Sequence, residues 1–267
     1  MCTLASQIIF FLPWLTQMVV INEDTFPSLE FSYNQHLWGR SRIGSMYPKV
    51  KQVIAVSRST YRDLRDVYHI PSPPLVYLPN WTSFQGVGFP HESGRTIDVV
   101  YGGRLDAQKQ PEVMMGFFRE LLTKLPRLVI RIYGDGKAST IVDERIKQLQ
   151  RTKDIRREQP VADFGPVLQR TKLFVFTSLY EGLPFVGIEA MKYGAVIVGL
   201  QAPGVSDLVV RGKTGILANS ITDLATQTIA LLKSSGRMRD MRRAAYERAR
   251  TYFSEKNRDV LIRLLLS

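Results

Sequence analysis

Residues 177–191 read Thr-Ser-Leu-Tyr-Glu-Gly-Leu-Pro-Phe-Val-Gly-Ile-Glu-Ala-Met and set two acids, Glu181 and Glu189, on either side of a Gly-Leu-Pro step. Glu181 falls on a loop that closes an apolar run, Glu189 inside the helix that follows. Gly182 lets backbone approach a ligand, Pro184 suits a first helical turn, and the helix N-terminus offers unpaired N–H groups to an oxygen-rich or anionic ligand. A carboxylate such as Glu189 accepts hydrogen bonds from two vicinal hydroxyls, which is what a ribose presents. A sugar phosphate would therefore sit here. Spacing alone carries nothing, because Glu112 and Glu120 have the same separation on what reads as an ordinary amphipathic helix. Context separates the pairs: a strand before, Gly-Leu-Pro between, and Gly194 soon after.

Such residues need a scaffold, and the chain supplies a repeating one. The β-branched run 53–56 ends in Ser57, a good N-cap, and residues 61–68 carry helical spacing. Pro71, Pro73 and Pro74 force extended chain before a further strand at 75–78, and a polar, Gly-containing stretch from Pro79 to Gly94 reads as a connection between domains. From Thr96 the pattern is regularly strand then helix. Strands are expected at 97–102, 128–133, 173–177 and 195–199, with helices at 111–124, after Gly136, at 185–193 and at 224–233. That alternation predicts an α/β fold with a doubly wound parallel sheet, whose ligands bind at the carboxyl ends of the strands. The loops after Tyr101, Tyr133, Thr177 and Gly199 should line one site. The charged segment 141–160 shows no strand before Asp163-Phe164-Gly165.

Bulk properties narrow the partners. A formal charge of +12 and a pI near 9.9 favour polyanions, anionic lipid or a phosphorylated substrate. No nucleic-acid-binding signature accompanies the charge, so none of that class is expected. One cysteine, Cys2, allows no intramolecular disulfide, and His36, His69 and His91 have no ligand spacing, so no metal site is expected. The apolar stretch 4–20 contains Pro13 and lacks a preceding basic residue, and it reads as a short helix and a buried strand rather than a span. Arg237, Arg239, Arg242, Arg243, Arg248 and Arg250 fall at helical spacing and suggest a basic face, either solvated or resting on an acidic membrane. The expectation is a cytoplasmic protein with at most peripheral membrane contact. Asn80-Trp81-Thr82 is a formal glycosylation sequon, for which no glycan is expected.

The segment around Glu181 and Glu189 resembles the Glu-x7-Glu hallmark of the family-4 retaining glycosyltransferases of the GT-B fold. Further matches are Gly103-Arg104-Leu105 with Lys109, Tyr133-Gly134-Asp135-Gly136, Leu78-Pro79-Asn80, Pro203-Gly204 with Asp207, and Gly212-Lys213-Thr214-Gly215-Ile216-Leu217. The resemblance implies a complete C-terminal Rossmann-like domain and a truncated N-terminal one. Its boundaries would be 1–83 for a partial acceptor-side domain, 84–95 for a linker, 96–250 for the nucleotide-sugar-binding domain, and 251–267 for a helix returning to the first. It also implies roles. Arg104 and Lys109 would neutralise the departing diphosphate, Glu189 would hold the ribose, and Glu181 would contact the donor sugar. Gly103, Gly134 and Gly136 would form the glycine turns, and backbone along Gly182, Leu183, Pro184, Phe185 and Val186 would touch donor phosphate and hexose. Two cations on the leaving group make a divalent metal unnecessary, and no Asp-x-Asp pair is present to hold one.

The implied reaction moves a hexose from UDP- or GDP-sugar, used as substrate with no cofactor, to a glycan or lipid-linked acceptor with retention. Where many relatives carry a sugar-contacting histidine, this chain has Asn22-Glu23-Asp24, and the first βα units of a complete relative have no counterpart. That opens a second reading, a non-catalytic relative that binds a nucleotide sugar or serves as a subunit. An unrelated nucleotide-binding oxidoreductase lacks support, since no G-x-G-x-x-G follows a first strand. Apolar surface around residues 8–15 suggests self-association or a second subunit.

Overall fold

The computed structural model describes residues 20–23 (backbone only), 50–71, 75–85, 88–91, 93–150 and 154–266. The expectations for residues 4–19, including the apolar surface at 8–15, for Asp24 and for Pro73-Pro74 lie outside the described residues.

Two parallel sheets organise the described chain. The first joins β1 (Val20–Glu23), β2 (Gln52–Ala55) and β3 (Leu75–Tyr77) in that spatial order. Val53, Ile54 and Ala55 are almost completely buried, as a strand covered on both faces requires. β2 runs directly into α1 (Arg58–Asp66), where the Ser57 hydroxyl accepts the Thr60 N–H at 2.9 Å. The cap read from the sequence is in place.

The second sheet comprises β4 (Ile97–Gly102), β5 (Ile130–Tyr133), β6 (Ile155–Glu158), β7 (Thr171–Phe176), β8 (Val196–Leu200) and β9 (Gly215–Ala218). All its pairings are parallel, in the order β6-β5-β4-β7-β8-β9. Alternate residues of the inner strands feed two separate cores. Val99, Leu173, Val175, Val196 and Val198 pack on one face with α2 (Pro111–Lys124), α3 (Ser139–Gln148) and α7 (Ile221–Leu232). Val100, Phe174, Phe176 and Ile197 pack on the other with α4 (Gly165–Gln169), α5 (Phe185–Lys192), α6 (Val205–Leu208) and α8 (Ser235–Tyr252). The strand order turns back between β4 and β7. In a doubly wound sheet that reversal opens a crevice at the strands' carboxyl ends.

Two elements depart from the sequence reading. β6 reads Ile-Arg-Arg-Glu, which hides it from any search for apolar runs; it is an edge strand, bonded only to β5, and charge suits that position. In α8 the arginines do not form one solvated stripe. Arg237, Arg239, Arg243 and Arg250 are exposed, but Arg242 is buried and donates to the carbonyls of Gly194 and Pro90. Arg248 turns inward too, donating to the carbonyls of Leu208 and Asp207.

The chain then returns towards the first sheet. Thr82 N–H donates to the Phe253 carbonyl at 3.0 Å, the Tyr77 and Tyr252 hydroxyls lie 2.8 Å apart, and Asn257 Nδ2 donates to the Pro79 carbonyl at 3.2 Å. The last helix, α9 (Lys256–Leu266), starts at this junction. No helix among the described residues is long and apolar enough to cross a membrane.

Candidate functional site

β4 and β7 end side by side at the point where the strand order reverses, so the loops after Gly102 and Phe176 meet. They are tied together by several bonds. The Thr177 hydroxyl donates to the Lys109 carbonyl at 2.8 Å, Leu179 N–H to the Gln108 carbonyl at 2.9 Å, and Gln108 Nε2 to the Tyr180 carbonyl at 2.9 Å. A short 3₁₀ turn, Ala107–Lys109, capped by Asp106, presents Gln108 and Lys109 to that seam.

Lys109 points at Glu181. Its Nζ lies 2.5 Å from Glu181 Oε1, and the side chains retain only 16% and 8% of their exposure. The same carboxylate oxygen accepts the Ser178 hydroxyl at 2.5 Å. Charge and hydroxyl together satisfy a carboxylate that burial would otherwise penalise. Any anion drawing on Lys109 must therefore share it with Glu181.

Arg104 is held differently. Its side chain is 73% exposed and leans on Asp106 at 3.3 Å and Gln108 Oε1 at 3.2 Å, while its carbonyl accepts the buried Tyr101 hydroxyl at 2.6 Å. Burial, reinforced by the charges of Glu181 and Asp106, pushes the Tyr101 phenol well above its ordinary range, so it stays protonated and a donor.

The two glycine turns lie against one another. Gly103 N–H donates to the Tyr133 carbonyl and Leu105 N–H to the Asp135 carbonyl, at 3.0 and 2.9 Å. A Cβ on Gly134 would strike the Gly103 carbonyl, and one on Gly136, at φ +150, would lie 2.6 Å from the Leu105 carbonyl. Both positions admit only glycine without a backbone shift. The Ser139 hydroxyl and the Gly136 N–H both bond the Asp135 carboxylate and hold it below the usual range.

A cleft of about 490 Å³ opens beside these turns. Gly102, Gly103, Arg104, Tyr133, Gly134, Asp135, Phe164 and Val186 line it, with Pro160 and Val161 closing the far side. Tyr133 and Phe164 meet edge to face, centroids 5.2 Å apart. Gly103, Arg104, Gly134 and Val186 are thus brought to one cavity. Lys109 and Glu181 flank the switch point without lining it.

Helix α5 is preceded by its N-cap, Pro184, whose ψ of 120° is extended. The first bonds of the helix run from Gly187 and Ile188 to the Pro184 carbonyl, which leaves the N–H groups of Phe185 and Val186 without an intrahelical acceptor. Leu183 is buried and Phe185 half-exposed. Further along, the Glu189 carboxylate makes no hydrogen bond to any described side chain or backbone group. Burial is the main cause that raises its pKa; Lys192 opposes the shift and Asp163 adds to it.

The segment around Glu181 is anchored from behind. Its N–H donates to the Pro203 carbonyl at 3.0 Å, and Gly204, at φ +75, sits so close that a Cβ would collide with the carbonyls of Glu181 and Gly182. On the other side, Asn80 Nδ2 donates to the Leu183 carbonyl at 2.8 Å. Ser178, Gln108, Tyr101, Phe164 and Asn80 were not assigned roles from sequence. Ser178 and Tyr101 bond groups three residues away, whereas Gln108, Asn80 and the Phe164 ring meet partners distant in the chain.

The strand order, the crevice at its reversal and the paired glycine turns belong to a Rossmann-like fold of the GT-B type. The family of Glycosyl transferases group 1 matches residues 89–248, and this chain belongs to it. It is 30% identical over 122 residues to the Vi polysaccharide biosynthesis protein VipC/TviE of Salmonella typhi, covering 45% of this chain and 21% of that protein. It is 24% identical over 193 residues to the UDP-N-acetylglucosamine–peptide N-acetylglucosaminyltransferase GtfA subunit of Streptococcus parasanguinis, covering 69% and 38%. The fold is similar to that of Anabaena HepE, solved with UDP and glucose, at a TM-score of 0.83 and 15% identity, covering 100% of this chain and 76% of that one. The chain spans well under half the length of the two curated relatives.

Proposed function

We propose that this chain binds a nucleotide-diphosphate sugar in the crevice between β4 and β7 and takes part in hexose transfer, with retention, to a glycan or lipid-linked acceptor. The observation that carries the reading is the unpaired start of α5 beside Lys109, Arg104 and the glycine turns. Backbone N–H groups and two cations around one crevice suit a leaving diphosphate. The apolar cleft walled by Tyr133 and Phe164 suits a nucleobase, and the unpartnered Glu189 carboxylate suits the ribose hydroxyls. On this reading Glu181 contacts the donor sugar while sharing Lys109, the pair Glu181 and Glu189 is a family-4 Glu-x7-Glu motif, and cationic side chains stand where a metal would otherwise be needed.

A second reading, binding without transfer as one subunit of a larger assembly, draws on one observation. β1 ends in Asn22-Glu23 where the family-4 resemblance would place a sugar-contacting histidine in the following loop. The GtfA relative is itself named as a subunit. The site is tested by calorimetric titration, without metal, against UDP, GDP and their hexose conjugates, followed by transfer assays with and without added divalent cation. Binding that Glu189→Ala abolishes supports the donor site; turnover separates the first reading from the second. No binding of either nucleotide would overturn both.

A further inference from the structure

We propose that Asn80 is a positioning residue for the donor loop, holding from the first part of the chain the peptide on which α5 opens. The inference rests on the nucleotide-sugar reading above. Asn80 is 4% exposed, and its carboxamide donates to Leu183 O, a residue 103 positions away. That carbonyl belongs to the peptide entering Pro184. Proline has no N–H and a fixed φ, here −67°, so the tilt of the Leu183–Pro184 peptide sets the direction in which the next two N–H groups leave the helix. Those are Phe185 and Val186, the groups without intrahelical acceptors.

The opposite side of the loop is anchored to the first part of the chain as well. Gly204 packs on the carbonyls of Glu181 and Gly182 and caps the short helix α6, in which Asp207 accepts the N–H groups of Arg58 and Ser59 at 3.1 and 3.2 Å. Residues 181–184 are thus gripped from both sides by contacts that lead back to α1 and to the segment after β3. Asn80 acts at the phosphate end of the loop and touches neither the aromatic cleft nor Glu189. Its loss therefore acts on diphosphate recognition and leaves base and ribose recognition intact.

The test compares calorimetric affinities for UMP and UDP, or GMP and GDP if the wild type prefers guanine, in the wild type, Asn80→Ala and the near-isosteric Asn80→Asp. One buried hydrogen bond lost from the loop predicts about a tenfold weaker diphosphate, with the monophosphate changed by less than about twofold. Should Asn80→Ala and Asn80→Asp be too unstable to titrate, Asn80→Ser, whose hydroxyl is too short to reach Leu183, is read by the same ratio. Equal losses for both nucleotides, or none, would overturn the inference while leaving the donor site standing. Failure of the wild type to bind either nucleotide would remove the donor site and the inference together.

Discussion

Lys109 and Glu181 show how far a site residue's role depends on its neighbour. With side chains 16% and 8% exposed, neither can lose its partner cheaply. Lys109→Ala should destabilise the protein by about 3 kcal/mol, because a buried carboxylate is left with Ser178 alone. Adding Glu181→Gln should recover most of that loss, and urea unfolding of the two single variants and the double variant reads the coupling directly. Glu189 behaves oppositely. Its folded-state pKa is raised chiefly by burial, so its contribution to stability is full below the unfolded carboxylate value and is lost as pH rises through the folded one. Glu189→Gln should therefore melt at or above the wild-type temperature at neutral pH, the difference closing on acidification, while nucleotide affinity falls. A Glu189→Gln protein less stable than wild type at pH 7 would show that the burial cost is not borne by this carboxylate.

At the scale of elements, strands with apolar runs were legible and charged or glycine-rich ones were not. β4 and α2 match their expected bounds because burial leaves β4 apolar but for Asp98, and α2 opens on a proline. β6 escapes because its edge position lets Arg156, Arg157 and Glu158 replace apolar residues. β9 opens on a glycine and is four residues long, too little to read as a strand. The glycine turns, Arg104, Lys109 and the two acids were visible because their chemistry is local to short segments. Asn80, Gly204 and Asp207 stood out only through the resemblance, and their contacts were not legible, since Asp207 meets α1 across about 150 residues and no periodicity records such a contact. Gly204 joins the two kinds of information. At φ +75 and pressed on two carbonyls, Gly204→Ala should cost about 2 kcal/mol or more and weaken nucleotide binding beyond that cost. Thermal melts with and without nucleotide separate the two effects.

Across the whole molecule, the two sheets meet through polar contacts as well as through Val56, which packs into the core on one face of the second sheet. Asp207 on α1, Asn80 on Leu183, Asn257 on Pro79, and the Tyr77–Tyr252 hydroxyl pair make up much of the seam. The polar share of that coupling lasts only while its directional bonds are made. The wild type should unfold with matching calorimetric and van't Hoff enthalpies. Asp207→Ala strips two acceptors from the start of α1, a loss of about 1–2 kcal/mol that should make the calorimetric enthalpy exceed the van't Hoff value. Matching enthalpies in the variant would mean that the remaining contacts suffice.

Asn80 also begins a glycosylation sequon, and its buried amide nitrogen is the atom to which a glycan would be joined. Once folded, that nitrogen is spent on a carbonyl and closed to any modifying enzyme. If the modification came first, the branched sugar would occupy the space where Leu183 must dock, and the turn before α5 could not pack against residue 80. The glycosylated chain and the folded chain are alternatives, so a compartment that decorates nascent sequons would leave this protein without the turn on which α5 opens.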